Sequence, residues 1–248
     1  MTSEAITFDR VGKSYAFALH RAGGLKNLIL HLPGALAHMK ADRHDVLIDV
    51  SFSVNHGESV GIVGRNGAGK STLLALMAGV IRPSAGKVVV RGRVSPLLEL
   101  GAGFHPELTG RENIMLNGVL LGLRRAEIWA RMERIIAFSE LAESIDEPVR
   151  VFSTGMLARL GFSVAAHLDP EILLIDEVLA VGDTAFQAKC VDKIREFRRR
   201  GVTTVFVSHN LDQIATLCDR AIVLADHRVA FAGDVGAAIS RYEQGATQ

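Results

Sequence analysis

The sequence is poor in cysteine, in net charge and in long apolar runs, and each shortage excludes a class of protein. Only two cysteines occur in 248 residues, Cys190 and Cys218, and their spacing suits neither a disulfide framework nor a metal site. The formal net charge is +1, so the chain as a whole is not drawn to nucleic acid. The longest stretch without a charged residue, residues 27–39, is shorter than the ~20 apolar residues that span a bilayer. We therefore expect a soluble chain with reduced thiols that binds no nucleic acid and reaches any membrane through a partner.

The amino terminus carries early acids and no apolar core, so we expect no signal peptide. Strand-like and helix-like segments alternate along the chain, which predicts parallel βαβ units around one substantial core. Helical periodicity over residues 107–167 predicts an inserted helical lobe. Residues 16–46 form an early insertion with two interpretations. It is either a surface insertion with an amphipathic turn or two, or a basic and apolar docking element for a membrane partner or membrane surface.

The strongest motif is a glycine-rich loop between a short apolar strand and a helix. It has the spacing G-x-x-x-x-G-K-[ST], and its residues are Gly64, Arg65, Asn66, Gly67, Ala68, Gly69, Lys70, Ser71 and Thr72. Glycines allow successive backbone N–H groups to turn inward around a polyphosphate, and the helix presents its positive dipole end to the same anion. Lys70 would reach the β- and γ-phosphates, and Ser71 would supply an oxygen to Mg²⁺. An incidental glycine-rich turn is the alternative, which the correct flanks on both sides disfavour.

Two carboxylates follow the near-continuous apolar run of residues 171–175, which is typical of a buried parallel strand. Asp176 can take Mg²⁺ directly or through water, and Glu177 can polarise the water that attacks the γ-phosphate. An ordinary strand-end turn is the alternative. His209 follows the predicted strand of residues 203–207 and, at the tip of the same sheet, would contact the γ-phosphate. A lone histidine at a strand end is more often an ordinary surface residue.

A second anion site is predicted where Ser153, Thr154 and Gly155 open a helix. The hydroxyl and backbone N–H groups would face an anion there. Spacing alone equally allows an ordinary N-cap, so this motif depends on the others for its interpretation.

Taken together, these motifs resemble those of the nucleotide-binding subunit of an ABC transporter, and the resemblance covers nearly the whole chain. The glycine-rich loop resembles Walker A, residues 172–177 Walker B, residues 152–156 the family signature and residues 180–183 the D-loop. The resemblance implies an α/β fold in one domain, residues 1–248. That fold is a P-loop NTPase with a RecA-like core and mostly parallel sheet, an N-terminal antiparallel β subdomain and an inserted α-helical subdomain.

The resemblance also implies roles for single residues. Glu177 and His209 would be catalytic, and Ser71, Asp176 and Glu99 would contact Mg²⁺. ATP would be bound by the glycine-rich loop together with Tyr15, which would stack on adenine, and with Ser153, Thr154, Gly155 and Asp183. The signature departs from the family pattern at Phe152, Thr154 and Met156. Glu99 is the nearest polar residue to the place where the family has a coupling-loop glutamine.

The stretches LLELGAGFHPELTGREN, FSTGMLARL and DEVLAVGD resemble one branch, the exporters of undecaprenyl-linked surface polysaccharide. This implies a nucleotide-sandwich dimer of two copies, an integral-membrane permease and a lipid-linked polysaccharide as cargo, at the cytoplasmic face of the inner membrane. We expect O-antigen as the polymer, with teichoic acid or capsule as alternatives, and no C-terminal carbohydrate-binding domain. A soluble regulatory or DNA-repair ATPase would need coiled-coil arms or a tandem second core. A small-molecule kinase would leave Ser153 and His209 without a role.

Overall fold

The computed structural model describes residues 3–16, 43–97, 103–176, 182–208 and 210–246. Three predicted site residues, Glu99, Glu177 and His209, lie outside these ranges. Residues 17–42 of the predicted insertion also lie outside them.

An antiparallel sheet forms the N-terminal part of the fold, in the strand order β2-β1-β4. Its strands are β1 (Glu4–Ala16), β2 (Arg43–Asn55) and β4 (Ala85–Val90). Residue 16 and residues 43–46, predicted as part of the insertion, belong instead to the ends of β1 and β2. The exposed residues 43–45 carry no alternating apolar pattern, because they are held by backbone pairing with the end of β1.

The second sheet has six strands in the order β5-β6-β7-β3-β8-β9. They are β3 (Ser59–Gly64), β5 (Val94–Leu97), β6 (Ile172–Asp176), β7 (Thr203–Val207), β8 (Arg220–Ala225) and β9 (Arg228–Asp234). All neighbouring pairs are parallel except β8 and β9. The apolar runs of β3 and β7 are buried along their whole length, as expected for strands covered on both faces. Because parallel strands end at one edge, β3, β6 and β7 deliver their C-terminal residues to the same place.

The described helices lie around this sheet and in a separate lobe. They are α1 (Lys70–Met77), α2 (Gly110–Leu120), α3 (Arg125–Ser139), α4 (Thr154–Ala165), α5 (Thr184–Arg199), α6 (Leu211–Leu217) and α7 (Val235–Ala246), with a 3-10 turn at Val149–Val151. In the part of the chain that the structure covers, no helix is long and apolar enough to cross a membrane.

Three apolar clusters hold the elements together. One lies between the two sheets and includes α1, and a second packs α5, α6 and α7 on the other face of the parallel sheet. The third belongs to the lobe of α2, α3 and α4, where Ile114, Met132 and Leu160 are buried. Cys190 and Cys218 are unpaired and buried in the second cluster, and this burial raises the pKa of each thiol to about 12.

Candidate nucleotide-binding site

The glycine-rich loop joins the buried strand β3 to helix α1, as predicted. Gly67 and Gly69 have φ angles of 82° and 104°, a region that glycine adopts at little cost. At Gly69 space matters too, because an added Cβ would lie 2.7 Å from both the Val46 carbonyl oxygen and a methyl carbon of Leu47. Strand β2 of the antiparallel sheet therefore packs directly against the loop and helps to shape it.

Lys70 is the first residue of α1 and is buried, with 9% of its surface exposed. Its Nζ donates to the carbonyl oxygens of Gly64 at 2.8 Å and Arg65 at 3.2 Å, so the ammonium group is held against the loop backbone. Burying an ammonium is costly unless it is hydrogen-bonded, and these two bonds offset that cost. The arrangement keeps a positive charge at the loop, where an anion would gain from it.

The N-terminus of α1 is suited to an anion. Its N-cap is Gly69, no side chain among the described residues caps it, and its first turn holds no acidic residue. The first-turn N–H groups and the positive end of the helix dipole are therefore available to a ligand. Ser71 is exposed at this end, as are Arg65 and Asn66 of the loop. These features fit a polyphosphate.

Asp176 ends β6 at the edge of the sheet where β3 also ends. Its Cα is paired with Val207 of β7, and Val207 is paired with Ile62 of β3. Neighbouring strands lie ~4.8 Å apart, so Asp176 is roughly 10 Å from β3 across the sheet. The Ser71 hydroxyl and the Asp176 carboxylate are oxygen donors of the kind that Mg²⁺ takes together with phosphate and water. No group of three or more His, Cys, Asp or Glu side chains suited to a metal ion occurs within the described ranges.

The residues on either side of His209 are held by side-chain hydrogen bonds. Ser208 is buried and its Oγ accepts from the Asn210 backbone N–H at 3.0 Å. Asn210 in turn caps α6 by accepting from the Gln213 N–H at 3.1 Å. The roles of His209 itself, of Glu177 and of Glu99 stay predictions.

Ser153 is the N-cap of α4, and its Oγ accepts from the Met156 N–H at 3.2 Å. Ser153 and Thr154 are exposed and Gly155 is half-buried, so this helix end lies on the surface. Phe152, directly before Ser153, is buried among the apolar residues of the lobe. Ser153 is thus an N-cap whose helix end is accessible, and a role with nucleotide stays a prediction.

Asp183 is the N-cap of α5 and uses both carboxylate oxygens within the chain. Oδ1 accepts from the Phe186 N–H at 2.9 Å, and Oδ2 accepts from Arg159 Nη2 at 2.5 Å. The hydrogen bond from the Phe186 backbone is the largest cause that lowers the pKa of Asp183, and Arg159 adds to it. The carboxylate is therefore held ionised at the start of the helix.

Tyr15 lies near the end of β1, paired with His44 of β2, and is 43% exposed. The Lys13 Nζ lies 5.0 Å from the centre of its ring. The His44 ring meets the His227 ring edge-on, with centroids 5.8 Å apart. Tyr15 offers an accessible aromatic face, and its contact with adenine stays a prediction.

An open cleft of about 910 Å³ lies beside the loop and was not foreseen from the sequence. It is lined by the loop residues Arg65, Asn66, Gly67 and Ala68, by the β8–β9 turn and by α7. The turn residues Asp226 and His227 have φ angles of 47° and 64°. Both therefore adopt the left-handed region, which is uncommon for residues other than glycine.

The ABC transporter family model matches residues 47–180, more than half of the chain. The O-antigen export system ATP-binding protein RfbB of Klebsiella pneumoniae is 56% identical over 239 residues, which cover 96% of this chain and 97% of that protein. The chain belongs to the ABC transporter family. As a member it is an ATP-binding subunit and an ABC-type ATPase.

Other relatives and solved structures agree with this membership. The teichoic acids export ATP-binding protein TagH of Listeria monocytogenes serotype 4b (strain F2365) is 39% identical, over 96% of this chain and 70% of that protein. A solved ATP-binding subunit of an ABC transporter superposes with a TM-score of 0.78 at 22% identity, covering 98% of this chain and all of that one. A dimeric post-hydrolysis state of the cassette MJ0796, bound to ADP and Pi, has a TM-score of 0.73 at 20% identity, with 93% and 98% coverage. At these identities the structures show the fold alone, and they confirm the predicted α/β P-loop fold.

Two residues of the ABC subunit that organise the helical lobe were missed from the sequence. Arg159 of α4 binds Asp183, although the two are 24 residues apart in sequence. Asn113 of α2 is fully buried, donates to the Leu108 carbonyl oxygen at 3.0 Å and accepts from the His105 N–H at 2.7 Å. The position of Asn113 on the apolar face of α2 was the one sequence feature that could have indicated a buried polar contact. No sequence feature indicated the contact between Arg159 and Asp183.

Proposed function

We propose that this chain is the ATP-hydrolysing subunit of an exporter that moves lipid-linked surface polysaccharide, O-antigen in the first place, across the inner membrane. One observation carries the choice of cargo. Two proteins named O-antigen export system ATP-binding protein RfbB are 56% and 54% identical to this chain over 96% of its length and 97% of theirs. Teichoic acid export is the alternative, since TagH proteins are 39% identical over 70% of their own length.

In this proposal the glycine-rich loop holds the triphosphate of ATP. Lys70 would pair with the β- and γ-phosphates, and the first-turn N–H groups of α1 would donate to phosphate oxygens. Ser71, Asp176 and Glu99 would hold Mg²⁺, which when bound neutralises charge that develops on the phosphoryl oxygens. Glu177 would orient the attacking water and take up its proton, and His209 would stabilise the γ-phosphate. Tyr15 would stack on adenine.

We infer that two copies of the chain act together. The exposed helix end at Ser153, Thr154 and Gly155 would cover a nucleotide held by the loop of the other copy, so that closure requires ATP. Hydrolysis would then reopen the pair. The accessible position of this helix end supports the idea, as does the likeness to a cassette solved as a dimer.

The subunit would lie at the cytoplasmic face of the inner membrane and dock on an integral-membrane permease that carries the polysaccharide. Movement would reach the permease through residues 98–107 and the neighbouring lobe of α2, α3 and α4. The near-neutral charge of the chain favours no nucleic-acid partner.

Deletion of the gene tests this function. We expect loss of polysaccharide from the cell surface and accumulation of lipid-linked glycan inside the cell. The wild-type chain should restore export, whereas a Glu177→Gln variant expressed at the same level should not. Unchanged surface polysaccharide in the deletion strain would contradict the proposal, and a loss confined to teichoic acid or capsule would favour the alternative cargo.

A further inference from the structure

Arg159, in the second turn of α4, joins three helices of the molecule. Its side chain is only 18% exposed, and Nη1 donates to Glu140 at the end of α3 at 3.0 Å. Nη2 donates to Asp183 at the start of α5, and the guanidinium carbon lies 5.0 Å from the centre of the Phe186 ring. One side chain therefore connects the end of α3, the body of α4 and the first turn of α5.

A second cation and an aromatic layer strengthen this junction. Lys189 Nζ donates to Glu140 at 3.0 Å and to the Phe138 carbonyl oxygen at 2.9 Å. The Phe138, Phe162 and Phe186 rings contact one another with centroids 5.9–6.3 Å apart. Charges backed by an apolar layer are screened less by water than charges on an open surface. The attraction between the charges of this cluster is therefore screened less than in a fully exposed ion pair.

The chain passes close to Arg159 just before α5 begins. Gly182 has a φ of 72°, and a Cβ added to it would lie 3.1 Å from Arg159 Nε and 3.2 Å from Phe186 Cβ. Asp183 divides its carboxylate between the N-cap of α5 and Arg159. Gly182 and Asp183 therefore both lie directly against the Arg159 side chain.

We propose that Arg159 is a positioning residue for ATP hydrolysis, which makes the start of α5 move together with α4. The inference rests on the proposed function, because α4 begins at Ser153 and Glu177 precedes Gly182 by only five residues in the sequence. When the N-terminus of α4 moves towards nucleotide bound by the other copy, the Arg159–Asp183 ion pair transmits this movement to Gly182 and Asp183. Without the pair, α4 loses its ionic connection to Asp183 at the start of α5.

Kinetics of Arg159 variants test this role. For Arg159→Ala we expect kcat for ATP hydrolysis to fall about tenfold or more, because small displacements of catalytic segments are costly. KM for ATP should change less than about threefold, because Lys70 and the loop are untouched. Arg159→Lys should recover part of kcat, because a lysine can reach one carboxylate but not bridge two. Asp183→Asn, which keeps an N-cap oxygen but loses the charge, should also lower kcat.

Arg111→Ala is the matched control. Arg111 lies in the same lobe and also bridges two acids, Asp146 at 2.9 Å and Glu133 at 3.1 Å, but these partners are not part of α5. Its kcat should stay within about twofold of wild type. An equal fall of kcat in Arg111→Ala and Arg159→Ala would overturn the proposal, since general weakening of the lobe would then explain both. An unchanged kcat in Arg159→Ala would overturn it as well.

Hydrogen exchange tests whether Arg159 holds the start of α5, independently of whether the protein hydrolyses ATP. Backbone amides from Gly182 to Phe186 should exchange faster in Arg159→Ala than in wild type, and at the wild-type rate in Arg111→Ala. Unchanged exchange at these amides refutes the junction whatever the enzyme does. If the wild-type chain hydrolysed no ATP, the proposed function would fail while the exchange result still decided whether Arg159 holds the start of α5.

Discussion

The N-termini of α1 and α2 satisfy their backbone N–H groups in opposite ways. At α2, Thr109 accepts from the Glu112 N–H at 3.2 Å and Glu112 accepts from the Thr109 N–H at 2.9 Å, a complete capping box. At α1 the N-cap is Gly69, with no side-chain cap and no acid in the first turn. Both helices have the same kind of dipole, yet α2 satisfies its end from its own sequence and α1 leaves its end to a ligand. The N-terminus of α4 shares one feature with each: Ser153 caps it, as Thr109 caps α2, and its first turn has no acid, as in α1.

In the proposed function the N-terminus of α1 binds ATP, and other residues supply hydrolysis. Glu177→Gln separates these two properties. We expect turnover to fall about 10³-fold, because a general base is lost, while the Kd for ATP stays at the wild-type value. An ATPase assay and titration calorimetry measure the two quantities. Full turnover in this variant would remove Glu177 from the catalytic role.

Lys70→Ala asks whether the open end of α1 is a binding site at all. Loss of a charged hydrogen bond to phosphate costs ~2.7 kcal/mol, so ATP should bind about 100-fold more weakly by calorimetry. Lys87→Ala, at an exposed position of β4, is the control and should bind ATP as wild type does. Equal affinity in the wild type and Lys70→Ala would mean that the glycine-rich loop does not hold the phosphates.

Ser153→Ala and Thr109→Ala decide which of the two helix ends α4 resembles. Each substitution removes an N-cap, so each should lower the free energy of unfolding by ~1 kcal/mol. If the α4 end also covers nucleotide, Ser153→Ala should lower kcat/KM about tenfold, whereas Thr109→Ala should leave it unchanged. Equal losses of stability with no loss of activity in either variant would make Ser153 an ordinary cap.

The smallest expected effect is the pH dependence of the α2 cap. The hydrogen bond from the Thr109 backbone N–H is the main reason that the pKa of Glu112 lies below its ordinary value of 4.5. A carboxylate with a lowered folded-state pKa contributes stability above the unfolded-state pKa and loses it as pH falls through the folded-state value. Between about pH 6 and pH 3, the midpoint of thermal unfolding should therefore fall less in Glu112→Gln than in wild type. Identical pH profiles would mean that the capping box adds no ionic stabilisation.

The sequence predicted those elements whose conformation depends on residues close together in the chain. The glycine-rich loop was found because its spacing and its flanking strand and helix lie within a short stretch, and β6 was found because a buried parallel strand is almost continuously apolar. Asp176 could be placed at the sheet edge for the same reason. These predictions needed no knowledge of how distant parts of the chain pack.

The remaining features depend on contacts between distant segments. The ends of β1 and β2 are held by pairing across the insertion, so exposed residues such as His44 show no strand pattern. Helix α7 was not predicted, because Gly236 and Gly245 in its first and last turns lower the helix propensity of the segment. The Arg159–Asp183 pair exists because the lobe packs against the start of α5, and no spacing in the sequence records that docking.

The burial of the two cysteines makes the native chain a ready background for chemical labelling. Thiol reagents attack the thiolate, and burial, which raises the pKa of Cys190 and Cys218 to about 12, keeps both thiols protonated at pH 8. A cysteine placed at an exposed position would therefore react almost alone. Val151, which is 64% exposed and two residues before Ser153, is such a position. A fluorescent probe there would test the proposal that α4 of one copy approaches a second copy when ATP is added.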